Sequence, residues 1–196
     1  MAMSDDPKPV EPVFPAGESA HIASILDKTK RGLYVMALVS ERLTGLKPVV
    51  VGGFAMEFYS TGGYRTSDID ALYLHPLEIG RMLEALGFRR VNRHWVSEAF
   101  DLQIEFPGHA IEPRAVERLT TVRVDGKSVT MIGVEDLILD RLNGFIHFDS
   151  PDDRMWAREL CAMYRSQLDL DYLRREAVAD GTSEALQGIL ASLPST

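Results

Sequence analysis

A chain of 196 residues, 45% hydrophobic and 26% charged, has room for one folded core with a small appendage, and its composition excludes a disordered or fibrous protein. A formal net charge of −8 sets up a field that repels nucleic acid and anionic membranes, so a polyanionic partner would need a local basic patch. The single cysteine, Cys161, excludes an intrachain disulfide and a thiolate metal cage and points to a reducing compartment.

Residues 1–17 carry Asp5, Asp6 and four prolines with no basic stretch leading into an apolar one, the pattern of a flexible lead rather than a signal peptide. No later apolar run approaches a bilayer span, and a cytoplasmic location without membrane contact is expected. Between residues 19 and 46, Ile22, Ile25, Leu26, Leu33, Met36, Ala37, Val39 and Leu43 recur at helical spacing, which predicts one long helix or two short ones broken at Gly32. Val49-Val50-Val51, set between Pro48 and Gly52-Gly53, has the pattern of a short buried strand ending in a tight turn. A helix over 54–59 and a glycine-containing loop over 60–63 follow. The next strand, 69–74, has Asp68 at its threshold and Asp70 inside it.

A helix over 77–86 is closed by Gly87. Alternating apolar and polar residues then predict strands at 88–91, 95–96, 100–106, 120–124 and 129–132, the last two joined by the hairpin signal Asp125-Gly126. Beyond Gly133, residues 134–148, 151–167, 170–179 and 183–193 fit helices. The expected fold is α/β (α+β), a mixed sheet with a meander in its second half and flanking helices. It divides into a lead (1–17), an α/β core (18–132) and a C-terminal helical region packed on that core (133–196).

The chemistry concentrates between Val49 and Leu74. A strand ending in two glycines lets a phosphate approach bare backbone N–H groups, and the helix that follows adds partial positive charge. Asp68 and Asp70, one residue apart on a strand, point to the same face and can bind the same cation. Two adjacent carboxylates without a counterion would repel, so a divalent metal is the natural missing charge; Mg²⁺, or Mn²⁺, takes one or two carboxylates together with phosphate oxygens. Either dipeptide alone is a weak signal, but the order strand, Gly-Gly, helix, Arg65-Thr66-Ser67-Asp68-Ile69-Asp70 is far more specific. Arg65 stands close enough to lean over the same face toward a triphosphate.

This segment resembles the nucleotidyltransferase superfamily, whose members carry Gly-Gly or Gly-Ser after a first strand and Asp-x-Asp on a neighbouring one. Gly52-Gly53-Phe54-Ala55 and Tyr64-Arg65-Thr66-Ser67-Asp68-Ile69-Asp70 look most like the minimal bacterial branch that includes the abortive-infection nucleotidyltransferase toxins. The resemblance implies a nucleotidyltransferase-like fold, a divalent metal, a nucleoside triphosphate, and transfer of a nucleotidyl group to an RNA end, a protein hydroxyl or a small molecule. A toxin–antitoxin setting is implied too. The alternative is a catalytically silent member of the fold that binds nucleotide or protein.

The superfamily usually adds a third carboxylate from a later strand. Asp101 and Glu105 share one face of the strand over 100–106; Glu105 lies deeper in the apolar alternation, with Asp101 as the alternative. Asp68, Asp70 and Glu105 are thus the expected catalytic and metal residues, and Gly52, Gly53, Arg65, Ser67 and Arg141 the expected nucleotide contacts. Arg141 stands where the toxin branch tends to carry a lysine; an arginine binds phosphate but is no base, and Asp152-Asp153-Arg154 occupies the place of a later aspartate motif. The basic stretch Arg89, Arg90, Arg93, His94 reads as a solvated hairpin, with phosphate or RNA contact as the alternative. His75, His109 and His147 are isolated. Met155, Trp156, Leu160, Met163 and Tyr164 form an apolar stripe suited to packing or to the seam of a homodimer.

Overall fold

In the computed structural model, which describes residues 14–15, 17–108 and 110–194, the first helical region is split into α1 (Glu18–Ser24) and α2 (Lys28–Arg42). The expected lead at 1–17 lies almost wholly outside the described residues, as does His109. Extended backbone at Ile25 ends α1, and Asp27 restarts the chain by accepting the Lys30 N–H at 2.6 Å, a capping arrangement that satisfies an otherwise unpaired helix donor. The break therefore falls at 25–27 and not at Gly32. Gly32 sits inside α2 because that helix packs closely there: a Cβ would lie 2.7 Å from Phe54 and 2.8 Å from Ile69.

Seven strands among the described residues form one sheet: β1 (Val49–Val51), β2 (Ile69–Leu72), β3 (Arg89–Val91), β4 (His94–Ser97), β5 (Leu102–Gly108), β6 (Thr120–Val124) and β7 (Lys127–Met131), in the order β3-β4-β5-β2-β1-β7-β6. The sheet is mixed: β1 and β2 are antiparallel, while β2 pairs with β5 and β1 with β7 in parallel. The later strands do not form one continuous meander. β3, β4 and β5 form an antiparallel meander on one edge, and the β6–β7 hairpin crosses to the other edge beside β1. Its turn, Asp125-Gly126, has φ of 46° and 81°, the paired positive values that match the twist of two adjacent strands.

The helices are α3 (Gly52–Tyr59), α4 (Pro76–Ala85), α5 (Val134–Phe148), α6 (Pro151–Met163), α7 (Leu170–Ala179) and α8 (Ser183–Ser192), with a 3-10 helix at Pro113–Arg118 that the apolar spacing does not signal. One buried apolar cluster runs from Ile22 through the strands to Leu193. Two tyrosines tie the C-terminal helices to the sheet region: the Tyr59 hydroxyl donates to the Ile132 carbonyl at 2.8 Å, and the Tyr164 hydroxyl donates to the Tyr59 carbonyl at 2.9 Å. The stripe on α6 divides. Trp156 meets Tyr64 edge-on and Leu160 is buried, whereas Met155 and Met163 face outward. No helix among the described residues is long and apolar enough to cross a membrane.

Candidate functional site

Strand register places three chemically useful side chains in one row. Glu105 on β5 lies beside Asp70 on β2, and His94 on β4 lies opposite Glu105; directly paired residues project from the same face of a sheet. Asp68, two positions before Asp70, joins them from just before the start of β2. Single donor atoms from Asp68, His94 and Glu105 fall within 4.8 Å of one another. His94 Nε2 is 2.7 Å from Glu105 Oε2 and 3.9 Å from Asp68 Oδ2.

Asp70 occupies the β1 end of the row, pressed against the start of α3. The Gly53 N–H donates to its carboxylate. A Cβ on Gly52 would lie 2.6 Å from Asp70 Oδ2, and Gly52 has φ +58°, so both the close approach and the backbone turn require glycine. Gly53 lies against Thr66, whose Oγ1 would be 3.0 Å from an added Cβ. The bend thus serves first to hold a carboxylate, and one N–H of the helix start expected for phosphate is given to Asp70. Burial pushes the Asp70 carboxyl up to about 6, and the charges of Asp68 and Glu105 add to the effect; the Gly53 bond and Arg141 only partly oppose it. The row therefore carries more negative charge than its surroundings neutralise.

Glu105 is buried, and its Oε2 has no hydrogen-bond partner. The His94 nitrogen at 2.7 Å and Arg93 Nε at 2.8 Å approach it without hydrogen-bond geometry. Asp68 is oriented from its other oxygen, which accepts from Thr66 Oγ1 at 3.0 Å and from Ser67 Oγ at 3.4 Å. Oxygen and imidazole donors converging on one point, one of them a buried carboxylate oxygen in ion-pair contact but without a hydrogen bond, fit a divalent cation.

The remaining expected residues are distributed more widely. Asp101 stands in an exposed turn before β5, at φ 49°, paired with Lys28 at 3.3 Å, so the structure leaves it outside the carboxylate group. Its position in the turn breaks the alternation that would have set it on the Glu105 face. Arg65 does not lean over the carboxylates: its exposed side chain reaches back to Glu57 at 3.1 Å. Arg141 lies on α5, paired with Asp153 at 2.7 Å and Asp140 at 2.5 Å, and with Asp70 and Gly52 it lines a cavity of about 1010 Å³. The lining of that cavity also includes Arg114, Asp136 and Asp180, which no local sequence pattern marks.

Two further residues were missed. Glu57, deep in α3, accepts from Thr29 Oγ1 at 2.5 Å, the Thr66 N–H at 3.0 Å and Arg65 at 3.1 Å, and so braces the loop that delivers Asp68. His94 was read as part of a solvated hairpin. The turn at Asn92 signals only the β3–β4 hairpin; the β4–β5 register that sets His94 opposite Glu105 has no marker of its own in the sequence.

No protein-family model matches the chain, and no curated protein matches it. A solved structure of the antibiotic-resistance factor ANT(2'')-Ia, described as undergoing substrate-regulated conformation dynamics, is similar at 17% identity with a TM-score of 0.47, over 84% of this chain and 93% of that one.

Proposed function

We propose that the protein is a metal-dependent nucleotidyltransferase that moves a nucleotidyl group from a nucleoside triphosphate to a hydroxyl acceptor. The observation that carries this reading is the pairing of Asp70 with Glu105, with Asp68 close to Glu105, where Asp70 and Gly52 line a cavity of about 1010 Å³. The resemblance of the strand, Gly-Gly, helix and Ser-Asp-Ile-Asp order to the nucleotidyltransferase superfamily supports it.

Asp68, Asp70 and Glu105 would hold the cation, which when bound supplies charge neutralisation to the phosphates. The acceptor oxygen forms a bond to the α-phosphorus as the bond to the bridging oxygen breaks, with pyrophosphate leaving and the acceptor's proton passing to water. The chain's own part is positioning. Gly52 and Gly53 let Asp70 and the Asp68 loop lie against the backbone at the start of α3, Arg141 presents positive charge from α5, and the cavity holds nucleotide and acceptor together. In this reading Ser67 and Arg65 contact the nucleotide, Arg65 after leaving Glu57. The acceptor is an RNA end, a protein hydroxyl or a small molecule.

The pairing of Arg141 with Asp140 and Asp153 favours a second reading, a silent nucleotide-binding member of the fold. One experiment separates the two. Purified protein is supplied with Mg²⁺ or Mn²⁺, each α-labelled triphosphate and the three acceptor classes, and label transfer is measured. Transfer that falls by about 100-fold or more in Asp70→Asn, with the thermal midpoint kept, is the expected result. Triphosphate binding without transfer supports the silent reading, and transfer unaffected by Asp70→Asn overturns the assignment of the site.

A further inference from the structure

We infer that His94 is a nitrogen ligand of the carboxylate site and biases it toward a first-row transition-metal dication such as Mn²⁺ over Mg²⁺. The inference rests on the metal-dependent reading above and concerns which ion the site selects.

Three observations carry it. The β4–β5 register sets His94 directly opposite Glu105, so the imidazole and the carboxylate share one face by the geometry of the sheet and not by a chance rotamer. Their donor atoms, 2.7 Å apart and 3.9 Å from His94 to Asp68, bracket the roughly 3 Å spacing of neighbouring donors around a small ion with bonds of about 2.1 Å. Glu105 Oε2, although close to two nitrogens, is buried and unpaired by hydrogen-bond geometry, which is unusual for a carboxylate oxygen whose only task is to bind a histidine.

The ligand chemistry then decides the ion. Mg²⁺ demands oxygen donors and gives up its waters reluctantly, so an imidazole nitrogen contributes little to it. Transition-metal dications accept imidazole readily. The other cation at the site, Arg93, reaches Glu105 from an exposed hairpin with 76% of its side chain in solvent, so a dication can displace it at small cost. The carboxylates set the site's charge; the histidine distinguishes between ions of the same charge.

The test uses the full chain without nucleotide, so that it stands apart from catalysis. Free Mn²⁺ is followed by electron paramagnetic resonance during titration of the protein, and Mg²⁺ is then added as competitor. Wild type is expected to prefer Mn²⁺ by about tenfold or more. His94→Ala should cut that preference about tenfold while leaving Mg²⁺ affinity within a few-fold. Electron spin-echo spectra of the Mn²⁺ protein should carry modulation from a ligated nitrogen that disappears in His94→Ala, and ¹⁵N-histidine labelling should change it in wild type. His94→Gln, which keeps a polar side chain of similar reach, guards against a folding artefact and should behave as the alanine variant does. An unchanged Mn²⁺/Mg²⁺ ratio in both variants, the absence of nitrogen modulation, or no binding of either ion overturns the inference. Mn²⁺ bound through His94 in a protein that transfers no label would overturn the functional reading and leave this one standing; Asp70-dependent transfer with no role for His94 would do the reverse.

Discussion

Glu57 has only 6% of its side chain exposed, yet it sits on a helix made almost entirely of apolar residues. A buried carboxylate is costly unless its oxygens are satisfied, and here they are, by a threonine hydroxyl, a backbone N–H and a guanidinium. All three partners lie in segments that set the position of Asp68: α2 and the loop before β2. Glu57→Ala strands the Thr66 N–H and releases Arg65, and should lower stability by about 2–3 kcal/mol in urea unfolding, with faster hydrogen exchange over residues 60–67. A loss below about 0.5 kcal/mol would mean that the loop is held by its other contacts. Residue chemistry alone singled out Asp68 and Asp70, because a period of two puts them on one face whatever the fold. It could not single out Glu57 or His94, since each matters only through a partner on another element.

At the scale of elements, the 3-10 helix lines the same cavity as Asp70 and is held to the C-terminal helices through Arg114 and Arg118. Arg114 makes a two-pronged contact with Asp180 at 2.8 Å and also meets Glu176, while Arg118 bridges Glu135 and Asp169. The Arg114 guanidinium beside Asp180 holds its carboxyl below the ordinary value of 3.8. A carboxylate whose folded-state value is depressed stabilises the protein above its unfolded value, and that contribution is lost as pH falls through the folded one. Asp180→Asn should therefore cost about 2 kcal/mol at pH 7, a gap that narrows as pH falls below 3.8 in unfolding experiments run across the acid range. A gap of the same size at pH 7 and at the acid end would show that the contact is neutral hydrogen bonding and not charge.

For the whole molecule, a net charge of −8 and a site rich in carboxylates describe a protein that gathers cations and repels polyanions. Arg89, Arg90 and Arg93 lie together on one edge hairpin, and all three are partnered within the chain: Arg89 is ion-paired with Glu98 and Arg93 with Glu105, and Arg90 donates to the Asn92 carbonyl. That leaves little free positive surface on this edge for a nucleic acid to use. The full chain should pass through a heparin column at physiological salt without retention, and binding to unrelated RNA should be undetectable by filter retention under the same conditions. Firm retention would identify the hairpin as a polyanion surface and favour RNA among the acceptors.

The local patterns determined the types of the helices and strands and most of their bounds to within two residues. Apolar periodicity marked α5 and α7 to the residue, β-branched residues between Pro48 and two glycines marked β1, and Asp125-Gly126 marked the outer hairpin. These signals are readable because each is carried by neighbours within a turn or a strand. Strand order was not readable: nothing near β6 or β7 says that they pair beside β1 on the far edge, since parallel pairing is decided by which apolar faces can be buried together. The site divides in the same way. Asp68, Asp70 and the double-glycine bend are contiguous and were legible, whereas the convergence of His94, Glu105 and Asp68 depends on registers between strands distant in sequence, and the turning away of Arg65 to Glu57 and of Asp101 to Lys28 on helix packing beside the sheet, which only the tertiary structure decides.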